Sequence, residues 1–494
     1  GIPRAEFMLG PTYGHPVVYW EWLAQTFYAL ANRAWGLNGV VALAALLVAA
    51  SSVGLYIALR RRGVALILAL ALTVAGIGLT SITWTARAQL FSLPLTLLWS
   101  ELLWRYWRSG DWRILWTLPA IMALWANLHG GFLAGFILLA TTVAVAWLFP
   151  AHRGAANPRD LTRALLGCAL ATLLNPWGLG LWGHILTYAG NPLIARYTQE
   201  YQSPDFHTLS GLLFLGLVFA ITGAWLRLTW LRSRRASDSG VGDAPANEFA
   251  LGGHAAAKSV SADSTLRLGG PEPVACAHVA VWTALAFTSV RFVPLWALIA
   301  LPILGEAMMT TVRTARDGRA PVVDRLARRF ARLDAVDRQV GRGVWSALAG
   351  MFVLVTLARG GALPGASSPT LAVQFDATIF PVAAVAHLRA IGVPPGQGFT
   401  TFAWGGYLDE ALPEYHMFID SRSDAYSQRM LADYADIVGL APDWQTLLDR
   451  YGVHWALLPT TDPLTQLLEI APDWRCGRAD AQNVAMLCRR AISP

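Results

Sequence analysis

Long apolar runs separated by short arginine-containing segments make up most of the chain before residue 360. A helix needs about 20 consecutive apolar residues to cross the hydrocarbon core of a bilayer. Runs near that length recur, and they predict membrane-spanning helices. The clearest runs are Leu37–Leu59, Val64–Ile82, Leu90–Tyr106, Ile114–Leu128, Gly131–Phe149, Leu165–Asn175 with its continuation, Leu209–Leu228, and one from about Val344 to Leu357.

The apolar stretch Val274–Ile303 is interrupted by Arg291, and it is either one long span or two short ones. Cytoplasmic loops of membrane proteins carry an excess of arginine and lysine. Two spans put every arginine cluster on one membrane face, so the sequence predicts two spans here and about ten in the chain. The clusters are Arg60–Arg62, Arg105–Arg113, Arg153–Arg163, Arg227–Arg235 and Arg313–Arg342.

Counting the spans between these clusters also predicts that the N-terminus and the C-terminal domain lie on the opposite, extracytoplasmic side of the membrane. Because the chain begins with glycine on the outer side, one more helix is expected upstream. The predicted organisation is an outer loop with an interfacial helix (1–36), a first membrane block (37–232), a flexible cytoplasmic linker (233–273), a second membrane block (274–360) with a cytoplasmic amphipathic helix (315–341), and an extracytoplasmic domain (365–494).

After Leu357 the pattern changes to short strand-like runs that alternate with amphipathic helices, which predicts a small α/β domain. The predicted helices are Phe380–Ile391, Ser427–Leu440 and Trp444–Tyr451; the predicted strands are Phe399–Phe402, Met417–Asp420 and His454–Leu458. Cys476 and Cys488 lie on two further strand-like runs. A hairpin would bring them to disulfide distance in an oxidising compartment, and the alternative is that both stay free.

Composition supports a membrane protein, because 55% of residues are hydrophobic and only 14% are charged. The net charge of +7 does not indicate nucleic-acid binding, since the basic residues form loop clusters and not one stripe. No P-loop, H-E-x-x-H helix, G-x-S-x-G elbow or Asp-x-Asp pair occurs. A divalent metal stays possible as a cofactor, but no motif for it is present.

Candidate chemistry lies in polar residues at the outer ends of the predicted spans. Arg87 and Arg291 occupy the face that normally contains little arginine, and a guanidinium can donate two hydrogen bonds to a phosphate. The alternative is that each arginine reaches the interface or pairs with a carboxylate such as Glu200. Glu6 is a candidate general base.

Further polar residues share this predicted level, and together they predict an outer cavity. Each of them alone is more often a helix cap or part of a turn. They are Gln89, Asn127, His129 with Gly130–Gly131, Asn175 with Pro176–Gly178, and Glu200–His207, which includes Asp205.

Seven segments together resemble bacterial membrane glycosyltransferase-like proteins of the GT-C type, relatives of polyprenyl-phosphate-sugar-dependent mannosyl- and arabinosyltransferases. They are Ile2-Pro3-Arg4 with Glu6, Glu21–Gln25, Ala86–Ser92, Trp125–Gly131, Asn175–Gly178, Phe402–Tyr407 and Phe418–Arg422. The sequence departs from the group at Glu6, where relatives usually have aspartate, and at Ser421, where they usually have glycine. The group's carboxylate-rich motif would lie upstream of Gly1.

The resemblance implies a GT-C-like helical bundle in a bacterial cytoplasmic (inner) membrane and sugar transfer from a polyprenyl-phosphate donor at the outer face of that membrane. Arg87 and Arg291 would hold the lipid phosphate, and Glu6 or Glu200 would be the base. Gln89, Asn127, His129, Asn175 and Asp205 would line the donor site. The partners would be membrane lipids, the lipid-linked sugar and a glycan, lipid or protein acceptor. The alternative is a non-catalytic subunit of a membrane complex; a transporter is disfavoured because no inverted repeat is visible.

Overall fold

A computed structural model describes residues 2–7, 10–190, 199–238, 272–316, 332, 335, 373–392, 394, 396–422, 425–479 and 484–491. The chain divides into two compact units. Unit 1 comprises Gly1–Trp22, Pro176–Gln199 and Ala372–Pro494, and unit 2 comprises Leu23–Asn175 and Glu200–Leu371.

Unit 2 is a bundle of helices. Its helices are α1 (Trp22–Trp35), α2 (Leu37–Arg61), α3 (Leu66–Thr80), α4 (Gln89–Ser109), α5 (Thr117–Leu128), α6 (Phe132–Leu148), α7 (Pro158–Ala171), α9 (Leu209–Asp238), α10 (Pro273–Thr288) and α11 (Val293–Arg316). Helix α8 (Gly180–Ala189) belongs to unit 1.

Within the described part of the chain, four helices are long and apolar enough to cross a membrane: Leu37–Arg61, Leu66–Thr83, Leu209–Trp230 and Val290–Val312. Within the described residues, the other predicted spans correspond to shorter or more polar helices. Helix α5 has 12 residues and α7 has 14, which at 1.5 Å per residue is shorter than the hydrocarbon core.

The structure confirms the predicted break near Arg291, because α10 ends at Thr288 and α11 begins at Val293. Helix α9 continues to Asp238 and enters the segment predicted as a linker, since arginine and alanine, which favour helix, make up most of Arg232–Ala236. The rest of the predicted linker, most of the amphipathic helix 315–341 and the run Val344–Leu357 lie outside the described residues.

A buried ion-pair network, which the sequence did not reveal, joins α2, α4 and α11 in unit 2. Arg62 directly follows α2, where a positive charge complements the helix dipole. Its Nε and Nη2 atoms donate to Glu101 Oε1 at 3.1 and 2.5 Å, and its side chain is only 4% exposed. Glu306 pairs with Arg108 and lies 4.0 Å from Arg62.

The indole of Trp104 lies beside both guanidinium groups of this network. The guanidinium carbon of Arg62 lies 4.7 Å from the centre of the Trp104 ring, and that of Arg108 lies 4.9 Å from it. The negative face of an aromatic ring attracts cations. Trp104 therefore helps to stabilise the like-charged guanidinium groups of Arg62 and Arg108, together with the carboxylates of Glu101 and Glu306.

Unit 1 contains a four-stranded sheet in the order β1-β2-β4-β3. The strands are β1 (Gln397–Thr400), β2 (Val453–Pro459), β3 (Trp474–Arg478) and β4 (Ala485–Arg490). Strand β1 is parallel to β2, and the other pairs are antiparallel. The helices of this C-terminal part are α12 (Val382–Ile391), α13 (Phe402–Ala411), α14 (Gln428–Val438), α15 (Trp444–Arg450) and α16 (Pro463–Ile470).

Two details of unit 1 differ from the predictions or sharpen them. The predicted strand Met417–Asp420 forms a single bridge between Met417 and Gly398. Cys476 faces Cys488 across β3 and β4, and the structure joins these two cysteines in a disulfide.

Loss of one partner of the buried pair is expected to be costly, because an unpaired buried charge destabilises a protein by roughly 3–5 kcal/mol. We expect Arg62→Met to lower the thermal unfolding midpoint of the detergent-solubilised chain by several degrees. The control is Arg163→Met, which removes an exposed partner of Asp160 and is expected to cost at most about 1 kcal/mol.

The double variant Arg62→Met with Glu101→Met removes both charges and is expected to recover much of the loss. An Arg62→Met protein as stable as the Arg163→Met control would show that the network contributes nothing to stability.

Candidate functional site

Two predicted site residues of unit 2, Arg87 and Glu200, form an ion pair. Arg87 Nη1 donates to Glu200 Oε1 at 2.9 Å. The two side chains are 52% and 37% exposed, so water screens the pair. Arg87 lies in the turn that precedes α4, and Glu200 lies in a short 3-10 turn, so the pair joins two predicted outer segments. This is the carboxylate pairing that the sequence left open as an alternative to phosphate binding.

The turn between α10 and α11 adds the second predicted arginine. The Arg291 guanidinium carbon lies 4.4 Å from the centre of the Tyr201 ring. Ser289 Oγ donates to the Glu200 carbonyl at 2.7 Å, and Val290 N donates to the Gln202 carbonyl at 2.8 Å. We call Arg87, Glu200, Tyr201, Ser289 and Arg291 the Arg87 cluster.

His129 lies within electrostatic range of Arg291 and completes this region. Gly131 N donates to His129 Nδ1 at 2.9 Å, and the Ser92 hydroxyl lies 2.8 Å from the same nitrogen. Because Nδ1 accepts from a backbone N–H, the imidazole is neutral with its proton on Nε2. The structure therefore brings together four residues that the sequence analysis nominated separately: Arg87, His129, Glu200 and Arg291.

The remaining predicted site residues of unit 2 hold the local backbone. Asn127 Nδ2 donates to the carbonyls of Ala123 and Leu174 at 2.8 and 2.9 Å, which ties α5 to the end of the α7 segment. The other contacts are Asn175 Nδ2 with the Thr172 carbonyl, Gln89 Nε2 with the Thr83 carbonyl and Thr85 Oγ1, and Asp205 Oδ1 with His207 N. These contacts match the cap and turn roles that were weighed against donor binding.

Asp205 also lines a cleft beside the Arg87 cluster. The cleft has a volume of about 20 Å³, and its lining includes Ile82, Thr208, Phe214 and Val290. A cavity needs roughly 10–15 Å³ to hold one water molecule. This cleft therefore accommodates about one water molecule and is too small for a lipid-linked sugar.

Unit 1 contains a second charged group of residues, which we call the Arg422 cluster: Glu6, Asp409, Asp420, Arg422 and Tyr426. Arg422 Nε donates to Asp420 Oδ2 at 2.6 Å, and Nη2 lies 3.4 Å from Glu6 Oε1. Tyr426 donates its hydroxyl to Asp420 Oδ1 at 2.8 Å. One guanidinium thus holds carboxylates from the N-terminal segment and from the C-terminal part of the unit.

Glycine at position 405 brings the third carboxyl to this cluster. A Cβ on Gly405 would lie 2.0 Å from the Ile419 carbonyl oxygen, so only glycine lets α13 approach that segment. Asp409 follows four residues later and shares the same helix face. Both of its carboxyl oxygens are buried, and neither accepts a hydrogen bond from the described protein groups.

Asp409 can be buried without a cationic partner of its own because its carboxyl group is protonated. Burial, followed by the carboxylate of Asp420, raises the pKa of Asp409 to about 8, although Arg422 opposes the shift. At neutral pH Asp409 therefore keeps its proton, and its O–H group can donate to Asp420 beside it. The proton on Asp409 thus removes one negative charge from the three acidic side chains beside Arg422.

Glu6, which the sequence nominated as a general base, is only 2% exposed. Its Oε2 accepts a hydrogen bond from the Tyr19 hydroxyl at 3.1 Å, and its carboxylate faces Arg422. This enclosure favours a structural contribution over proton transfer to a substrate. Asp409 was missed by the sequence analysis, whereas Asp420 and Arg422 lie in the motif Phe418–Arg422 that was noted without a role.

No group of three or more His, Cys, Asp or Glu side chains among the described residues has an arrangement that could hold a metal ion. Neither a protein-family model nor a curated protein matches this chain.

The Arg422 cluster predicts a pH dependence of stability. An aspartate titrates near 3.9 in an unfolded chain, so between about pH 4 and pH 8 folded unit 1 binds the Asp409 proton and the unfolded chain does not. This contribution to stability is complete below about pH 4 and is lost as the pH rises through about 8. In the Asp409→Asn variant the side chain is an uncharged amide at every pH, so its burial does not depend on a bound proton.

We therefore expect Asp409→Asn to raise the thermal unfolding midpoint relative to wild type more at pH 8 than at pH 5. The control is Asp436→Asn, which makes the same change at an exposed position of α14. An equal effect of Asp409→Asn at both pH values would contradict a protonated Asp409.

Proposed function

We propose that this chain is a GT-C-type membrane glycosyltransferase that moves a sugar from a polyprenyl-phosphate donor to an acceptor at the outer face of a bacterial cytoplasmic membrane. About ten spans and an extracytoplasmic C-terminal domain belong to this proposal. Its main support is the Arg87 cluster, in which two arginines from distant parts of the sequence contact consecutive residues, Arg87 the Glu200 carboxylate and Arg291 the Tyr201 ring.

Phosphate binding would use the exposed ion pair as an exchangeable contact. A surface ion pair contributes only about 0–1 kcal/mol, whereas a guanidinium binds a phosphate through short charge-assisted hydrogen bonds. A donor phosphate would therefore displace Glu200 from Arg87. The released Glu200 carboxylate would then be free to accept a proton from an acceptor hydroxyl.

Arg291 would supply a second positive charge to the same phosphate. Its guanidinium lies over Tyr201, the residue that follows Glu200, so its position depends on the same turn. Positive charge that is already fixed before the reaction stabilises a leaving phosphate in the transition state. His129, neutral and near Arg291, would contribute hydrogen bonding without adding positive charge.

The disulfide of unit 1 supports the extracytoplasmic assignment of the C-terminal part. Disulfides persist in oxidising compartments and are rare in the bacterial cytoplasm. Cys476 and Cys488 join neighbouring strands of the sheet, and the free cysteines Cys168 and Cys276 lie in helices of unit 2.

A non-catalytic role in a membrane complex is the second candidate. Arg87 already has a carboxylate partner, and Glu6 is enclosed in the Arg422 cluster. Both observations fit a chain that keeps its charged residues for folding and assembly.

Binding of polyprenyl monophosphate separates these two candidates. For the purified chain, we expect Arg87→Ala to weaken binding of this lipid at least tenfold and to lower sugar transfer from synthetic polyprenyl-phosphate mannose or arabinose by roughly 100-fold. Arg33→Ala, a change at an exposed arginine of α1, is the control and is expected to leave both unchanged.

Glu200→Gln gives the sharper result, because phosphate exchange predicts opposite effects on two measurements. Removal of the competing carboxylate should tighten binding of polyprenyl monophosphate, and loss of the base should slow transfer. Unchanged binding in both Arg87→Ala and Glu200→Gln would remove the phosphate role and favour the non-catalytic subunit.

The predicted location has its own test. In cells, we expect Cys476 and Cys488 to resist alkylation until a reductant is added, as measured by the mass increase of the peptides that contain them. Alkylation of both cysteines without reductant would contradict an extracytoplasmic position for the sheet.

A further inference from the structure

Helix α7 of unit 2 presents charged and apolar residues in sequence along one exposed face. Arg159, Arg163, Leu166 and Leu170 are spaced by three or four residues, so they lie within one stripe of the helix surface. All four are exposed; Leu166 is 61% and Leu170 is 68% exposed. A stripe of this kind is unusual for a surface that contacts only water.

The neighbouring helices fix α7 and leave this stripe uncovered. Gly167 lies against Pro119 of α5, where a Cβ would be 3.3 Å from the proline ring. On the other side, Trp147 Nε1 of α6 donates to Thr162 Oγ1 at 3.2 Å. The leucines and arginines of the stripe therefore face away from the bundle.

The dimensions of the stripe match a phospholipid in one leaflet. Arg163 and Leu170 are seven residues apart, which is about 10 Å along a helix. Half of the hydrocarbon core of a bilayer measures about 15 Å. A phosphate at the arginines would thus place its acyl chains along Leu166 and Leu170.

The charges near the arginines favour an anionic headgroup. Asp160 pairs with Arg163 at 3.0 Å, so it offsets one positive charge. Arg159 is exposed, and its backbone N–H is held by the Asn157 side chain. Just before α5, the exposed Arg113 beside Trp112 and Trp116 adds a further positive charge, and the neighbouring Asp111 adds a negative one. Exposed tryptophans are typical of the level of lipid headgroups.

We propose that the stripe Arg159, Arg163, Leu166 and Leu170 of α7 binds an anionic phospholipid of the cytoplasmic leaflet, with its phosphate at the arginines and an acyl chain along the leucines. This site is separate from the donor site proposed at the Arg87 cluster. Its role is to anchor the short helix α7, which is too short to cross the membrane.

Native mass spectrometry of the full chain in detergent tests this proposal with two lipids of equal acyl chains, phosphatidylglycerol and phosphatidylcholine. The wild-type chain should retain phosphatidylglycerol preferentially. The double variant Arg159→Gln with Arg163→Gln should bind it on the order of tenfold more weakly. The control is Arg33→Gln with Arg475→Gln, which removes two exposed arginines elsewhere and should keep the preference.

The leucines have a separate test. Leu166→Ala with Leu170→Ala keeps both charges and should weaken binding of both lipids. Glycerol 1-phosphate, a phosphate headgroup without acyl chains, should not displace bound phosphatidylglycerol. Equal retention of the two lipids by wild type, an unchanged preference in the arginine variant, or displacement by glycerol 1-phosphate would overturn the proposal.

Discussion

A buried guanidinium must be matched by carboxylates, and each compact unit of this protein is organised around one such group. In unit 2, Arg62 fixes the end of α2 against Glu101 of α4. In unit 1, Arg422 holds Glu6 and Asp420. Removing a charge from water costs several kcal/mol, and only close pairing repays that cost. The helices and loops that supply these partners are therefore held in one arrangement by electrostatics as well as by apolar packing.

The contrast with Arg87 explains why that residue is the better candidate for function. Its pair with Glu200 uses the same chemical groups, but both side chains are substantially exposed. A water-screened pair contributes little to stability, so a phosphate can replace its carboxylate without unfolding the surrounding turns. Burial thus separates Arg62 and Arg422, which hold the fold, from the exposed Arg87, to which we assign the exchange of partners.

The sequence predicted the elements that depend on local pattern. The helix expected within residues 1–36, which the structure places at Trp22–Trp35, follows from apolar periodicity, and so does the α/β pattern of the C-terminal part. The break between α10 and α11 follows from the distribution of arginine. The buried networks could not be predicted, because Arg62 and Glu101 are 39 residues apart and each occurs in an ordinary arginine or helix context. Asp409 was missed for the same reason: its burial depends on the close approach that Gly405 permits.

Unit 1 is built from three separated parts of the chain, and this has a consequence for biosynthesis. Glu6 and Arg422 are 416 residues apart, so the N-terminal segment is made long before its charged partner. At about 5–20 residues per second, translation alone delays their contact by roughly 20 to 80 seconds. During that interval Glu6 lacks its partner Arg422, so the Arg422 cluster of unit 1 cannot form. Unit 1 can therefore form its Glu6–Arg422 contact only after residue 422 has been synthesised. A chain truncated before that residue would leave the N-terminal segment without its charged partner.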